Sequence, residues 1–98
     1  MNTGEIADAL REVYDPELGI DIVSLGLVYA IESEGGHIRV DLTMTTESCP
    51  MGGLILEGAG QALDAHFPGN DVEVHYTADP PWDPRMLDQD ARARLGLE

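Results

Sequence analysis

The sequence predicts a two-layer α+β domain with a three-stranded mixed sheet, and three observations predict it. Two long segments carry apolar residues at helical spacing, three shorter ones read as strands, and they follow in the order α-β-β-α-β before a short C-terminal helix. The 98 residues are expected to form one domain, residues 1–98, because two cores of half that size would be too small to stand alone.

The first helix is expected over Gly4–Tyr14, where Ile6, Leu10 and Val13 share a face and Asp15-Pro16 stops it. Pro16-Glu17-Leu18-Gly19 reads as a turn. Leu27–Glu32 is a short apolar run, and Glu34-Gly35-Gly36 turns the chain into the next strand. There Ile38, Val40, Leu42 and Met44 alternate with Arg39, Asp41, Thr43 and Thr45, the period of a half-buried strand. These two runs predict an antiparallel hairpin. From Met51 to His66 the period becomes helical through Leu54, Ile55, Ala59, Ala62 and Leu63, and Pro68-Gly69-Asn70 ends it. Val72, Val74 and Tyr76 then alternate with Glu73, His75 and Thr77 as the third strand. Prolines at 80, 81 and 84 exclude regular structure around Trp82. A last helix is expected from Pro84 or Leu87 to Leu95, with Gly96 as its stop. The helices would cover one face of the sheet, leaving Arg39, Asp41, Thr43, Glu73 and His75 toward water.

Nineteen carboxylates against five arginines, with no lysine, give a net charge of −14. Nucleic acid is thereby disfavoured as a partner, since phosphate neutralisation needs clustered cations. Schiff-base and phosphate-loop lysine chemistry is excluded as well. No apolar run approaches the ~20 residues that cross a bilayer, and no signal segment opens the chain, so a cytoplasmic protein is expected. The single cysteine, Cys49, rules out an internal disulfide and fits a reducing compartment.

The segment with most chemical content is Thr43-Met44-Thr45-Thr46-Glu47-Ser48-Cys49-Pro50-Met51-Gly52-Gly53, where a strand hands over to a helix. Pro50 suits the first helical position, which makes Cys49 the expected N-cap. Helix-end amides favour the thiolate there, while Glu47 two residues away opposes it. Gly52 and Gly53 each cost about 1 kcal/mol against alanine in a helix, so bare backbone is needed. An approaching ligand, metal or partner explains that need, and so does close packing of helix on sheet. Lone cysteines are more often small buried hydrophobes than reactive groups; the position of Cys49 at the junction shifts the balance toward function. His66 at a helix end, and His37 and His75 on or near the outer face, read as structural or surface residues. A nucleophilic Cys49 would need one of the latter two as its base. Asp15, Glu17 and Asp21 are explained by turn and cap duties at least as well as by metal binding. Trp82 reads as a lid over the core rather than an exposed contact.

Together these landmarks resemble the SufT- and PaaD-like family of metal-sulfur cluster assembly factors from about Ile6 to Gly96. The resemblance rests on Asp15-Pro16-Glu17-Leu18-Gly19, Ser24-Leu25-Gly26-Leu27-Val28-Tyr29, the approach through Thr43 and Thr45 to Cys49-Pro50, Pro80-Pro81-Trp82, and the closing Ala91-Arg92 and Leu95-Gly96. It implies a non-enzymatic accessory role in iron-sulfur protein maturation, with iron or a cluster held transiently. Implied partners are client apoproteins or a scaffold, and a homodimer. Carried over by position, Cys49 is the expected iron or cluster ligand, Thr43 and Thr45 support it, and Asp15 and Glu17 are metal candidates. The alternative implied is a pure adaptor, including the branch that serves the phenylacetyl-coenzyme A oxygenase; the Asp-Pro-Glu-Leu-Gly opening looks more like the general assembly branch. This chain departs from the family pattern at Glu47-Ser48, where a proline or small residue is commoner.

Overall fold

A computed structural model describes residues 2–45 and 52–96, with the backbone alone at Gly52. The chain runs α1 (Thr3–Leu10), β1 (Tyr14–Asp15), β2 (Ile20–Asp21), β3 (Val28–Glu34), β4 (His37–Leu42), α2 (Gly52–His66), β5 (Asp71–Tyr76) and α3 (Gln89–Leu95). A 3-10 turn at Pro84–Met86 precedes α3. The main sheet has the order β3-β4-β5. β3 and β4 are antiparallel from Glu34↔His37 to Val28↔Leu42, closed by Gly35 and Gly36 at φ of 56° and 82°, a backbone region that suits glycine. β5 lies parallel to β4, from His37↔Asp71 to Leu42↔Tyr76, because α2 carries the chain back over the sheet as a crossover. The expected mixed sheet is borne out.

Burial follows the alternation read in β4. Ile38, Val40 and Leu42 are buried with Ile6 and Leu10 of α1 and with Ile55, Ala59 and Leu63 of α2. α2 packs over β5 and beside α1, and α1 reaches β3. Arg39 and Glu73 stand exposed on the other face.

Two expectations need correction. α1 stops at Leu10 rather than Tyr14, although Val13 still enters the core. Val13 N–H donates to Leu10 O at 3.0 Å, a tightened last turn, and the next residues pair as a small hairpin, Tyr14↔Asp21 and Asp15↔Ile20. Two-residue strands are too short to show an alternation. Thr43 does not face water: it is 1% exposed. Regular pairing with β3 and β5 ends at Leu42, and Thr43 N–H donates to Leu27 O at 2.8 Å.

The C-terminal segment closes the side of the domain. Trp82 Nε1 donates to Leu25 O at 2.7 Å and the ring packs on the core, as a lid does. Asp88 N–H donates to Ser24 O at 2.9 Å, and Leu87 and Ala91 are buried. Asp88 caps α3 through Ala91 N–H at 2.8 Å, and Gly96 ends it at φ 73°. Gly26 makes this docking feasible. Its φ is 76°, and an added Cβ would overlap the Met86 carbonyl oxygen and sit 2.8 Å from Met86 Cβ. Gly26→Ala is therefore expected to lower unfolding free energy by about 3 kcal/mol, read as a shifted urea midpoint, with residues 77–88 becoming the first site of limited proteolysis. A midpoint within error of wild type would show that the tail does not depend on this contact.

Candidate functional site at the end of the central strand

In a strand-helix-strand unit the C-terminal ends of the parallel strands and the start of the crossover helix share one end of the domain. Here that end carries Thr43 and Thr45 after β4, Thr77 after β5, and the first turn of α2. Thr43 is buried and Thr45 half-buried. Thr77 N–H donates to Leu42 O at 2.8 Å, so both strand exits are tied to each other. Cys49, with the N-cap role expected of it beside Pro50, lies outside the described residues. Among the described residues, an added Cβ at Gly53 would meet nothing within 4 Å. Packing against the described part of the sheet therefore does not explain that glycine.

Asp15 and Glu17 sit elsewhere. Three backbone hydrogen bonds step sideways from Thr43 to the small hairpin: Thr43 N–H to Leu27 O at 2.8 Å, Leu27 N–H to Ile22 O at 3.0 Å, and Ile22 N–H to Val13 O at 2.9 Å. Asp15 is 2% exposed. Its Oδ1 accepts from Glu17 N–H at 2.8 Å and Leu18 N–H at 3.2 Å, while its carbonyl accepts from Gly19 N–H at 2.8 Å. That is a turn held by its own aspartate. Glu17 is exposed on the turn. Asp21 accepts from Ser24 N–H at 3.0 Å and lies 3.7 Å from Arg11. Among the described residues, no group of three His, Cys, Asp or Glu side chains is placed to hold a metal ion.

The histidines are engaged with carboxylates. His66 Nε2, at the end of α2, meets Glu12 Oε2, in the turn after α1, at 2.6 Å. On the outer face His75 and His37 approach the same Glu73 oxygen, at 3.2 and 3.5 Å. The hydrogen bond from His75, then the charges of His37, His75 and Arg39, hold the Glu73 carboxyl below the usual glutamate range.

A feature that sequence reasoning missed is a shallow groove of about 490 Å³ on this outer side, with Tyr29, Asp41, Thr77, Asp79 and Met86 among its lining residues. It exists because β3 bulges: Val28 pairs with Leu42 and Ala30 with Asp41, leaving Tyr29 as the extra residue. The Tyr29 hydroxyl donates to Pro80 O at 2.8 Å and so anchors the tail. Nothing in the local residue pattern announces a bulge there.

A three-stranded mixed sheet covered on one face by two helices, with a buried threonine leading out of the central strand, defines a small two-layer α+β module. The chain belongs to the iron-sulfur cluster assembly protein family, whose model matches residues 4–76, a span that holds α2, all but the first residue of α1, the described strands and Cys49. It is 44% identical to the Fe-S protein maturation auxiliary factor SufT of Staphylococcus aureus, over 87% of this chain and 98% of that protein. It is 38% identical to the Fe-S protein maturation auxiliary factor YitW of Bacillus subtilis, over 95% of this chain and 92% of that one. The crystal structure of domain of unknown function DUF59 from Bacillus anthracis matches with a TM-score of 0.91 at 36% identity, covering 97% of this chain and 92% of the other. The SufT-like resemblance seen in the sequence is borne out.

Two outcomes are expected from this geometry. Asp15→Ala strands the Glu17 and Leu18 amides and should cost about 1–3 kcal/mol in chemical denaturation, whereas Asp15→Asn keeps the Oδ1 acceptor and should cost much less. If Asn is as damaging as Ala, the carboxylate charge matters beyond the turn. The second concerns pH. A Glu73 pKa lower when folded than when unfolded contributes stability above the usual glutamate value, and this is lost as pH falls through the folded pKa. Thermal melts of wild type and Glu73→Gln should differ at neutral pH and converge as the medium is acidified below that range. A gap that persists unchanged to low pH would remove the carboxylate as its cause.

Proposed function

We propose that this protein is an accessory factor in the maturation of iron-sulfur proteins, in which Cys49 supplies a transient thiolate to iron or a cluster in transit, or contacts the client that receives it. The observation that carries this reading is that two maturation auxiliary factors match it nearly end to end, at 38% and 44% identity. Sulfur is the ligand that iron-sulfur clusters use, and a thiolate at a helix start is the more available form. One cysteine per chain cannot complete a four-thiolate cluster site. The remaining ligands then come from the client, a second chain or a small thiol, and release needs only exchange of one thiolate for another. The role is that of a helper rather than an enzyme, in a compartment reducing enough to keep the thiol free, the cytoplasm.

In this reading Thr43 and Thr45 position the strand exit, and Asp15 and Glu17 contribute through the turn they build. Anaerobic reconstitution with iron and sulfide tests the ligand. Wild type is expected to retain iron after desalting, and Cys49→Ala to fall to background. Equal, negligible iron on both proteins would refute the ligand role. Maturation of a client enzyme in cells lacking the wild-type gene then decides what is left: rescue by Cys49→Ala would identify a pure adaptor.

A further inference from the structure

We propose that β5 is the edge along which two copies of this chain pair, antiparallel about Val74, joining two three-stranded sheets across a twofold axis. Among the described residues β5 pairs with β4 alone. Asp71 N–H donates to Gly36 O and Thr77 N–H to Leu42 O, both at 2.8 Å. These bonds turn Asp71, Glu73, His75 and Thr77 toward β4. Alternate residues of a strand present their backbone groups to opposite edges, so Val72, Val74 and Tyr76 aim theirs outward.

Proteins usually blunt such edges with proline, bulges or lysine. β5 has none of these, and its register runs unbroken over Asp71–Tyr76. The opposite edge strand, β3, is interrupted by its bulge at Tyr29 and carries Glu32 and Glu34.

Charge selects the partner and the register. A twofold axis at Val74 sets Val72 opposite the partner's Tyr76 and Glu73 opposite the partner's His75, twice over. The outward residues meet one another as hydrogen-bonded pairs. Moving the axis to residue 73 puts Glu73 against its own copy, and like charges directly opposite are destabilising; moving it to residue 75 sets Glu73 opposite the partner's Thr77 and removes the imidazole from in front of it. Tyr76, 45% exposed, becomes covered by the partner's valine. A second copy of this chain is therefore the occupant that the edge fits. The pairing is independent of whether Cys49 binds iron.

Sedimentation equilibrium under reducing conditions tests it. Wild type is expected to dimerise. Val74→Pro removes an outward N–H and no bond to β4, so it should raise the dimer Kd by at least about tenfold with an unchanged far-UV spectrum. His75→Glu should weaken the dimer by setting carboxylates opposite each other, and the swap E73H/H75E should restore it. A wild type that stays monomeric at every concentration would overturn the proposal. So would a dimer whose Kd is unmoved by His75→Glu, a surface change that decides the matter even if the proline variant fails to fold.

Discussion

The fold hangs on β4, among the described residues the one strand hydrogen-bonded on both sides. Its even-numbered side chains Ile38, Val40 and Leu42 are the floor on which both long helices rest, while its backbone holds β3 antiparallel and β5 parallel. That double duty fixes the direction of everything else. A parallel neighbour requires a crossover, and the crossover helix must start where β4 ends. The same end therefore receives the chain's only cysteine in sequence, between Thr45 and Gly52.

How much of this was legible in the sequence depends on how long each pattern runs. The alternation over Ile38–Leu42 and the helical spacing over Leu54–Leu63 are long enough to define strand and helix, and their order predicts the mixed sheet. The hairpin at Tyr14–Asp21 was hidden because each of its strands has two residues, and its apolar Val13 continues the helical spacing of Ile6 and Leu10. Thr43 was misplaced for a related reason. Alternation assigns it to water only while the strand continues, and the pairing stops one residue earlier. The Tyr29 groove depends on a bulge and on a tail returning from Pro80, a contact between residues far apart in the chain. Of the site itself, the turn duty of Asp15 was within reach, because an aspartate before Pro-Glu-Leu-Gly accepts amides of its own turn.

The acidity of the chain has a plain structural counterpart. Arg11, Arg39 and Arg85 each lie beside a carboxylate, and the histidines do the same with Glu12 and Glu73. These are exposed or half-exposed pairs, and such pairs contribute little to stability. The net charge of −14 leaves most carboxylates without a cationic partner, and a surface of that sign repels polyanions. It also makes a chosen register matter more: on so acidic a surface, an edge that set carboxylate against carboxylate would repel.

That edge bears on the chemistry at the other end of the strand. In an antiparallel pairing about Val74 the two copies of β5 run in opposite directions, so the two strand exits with Thr43 and Thr45 point away from each other. Thr77 and its copy are then on the order of 20 Å apart, six residues at the rise of an extended strand. A cluster bridged between two equivalent strand exits does not fit that arrangement. Pairing through β5 instead leaves each exit open to its own incoming protein. Under the proposed ligand role, this arrangement leaves the client or a small thiol, rather than the second copy, as the source of further thiolates.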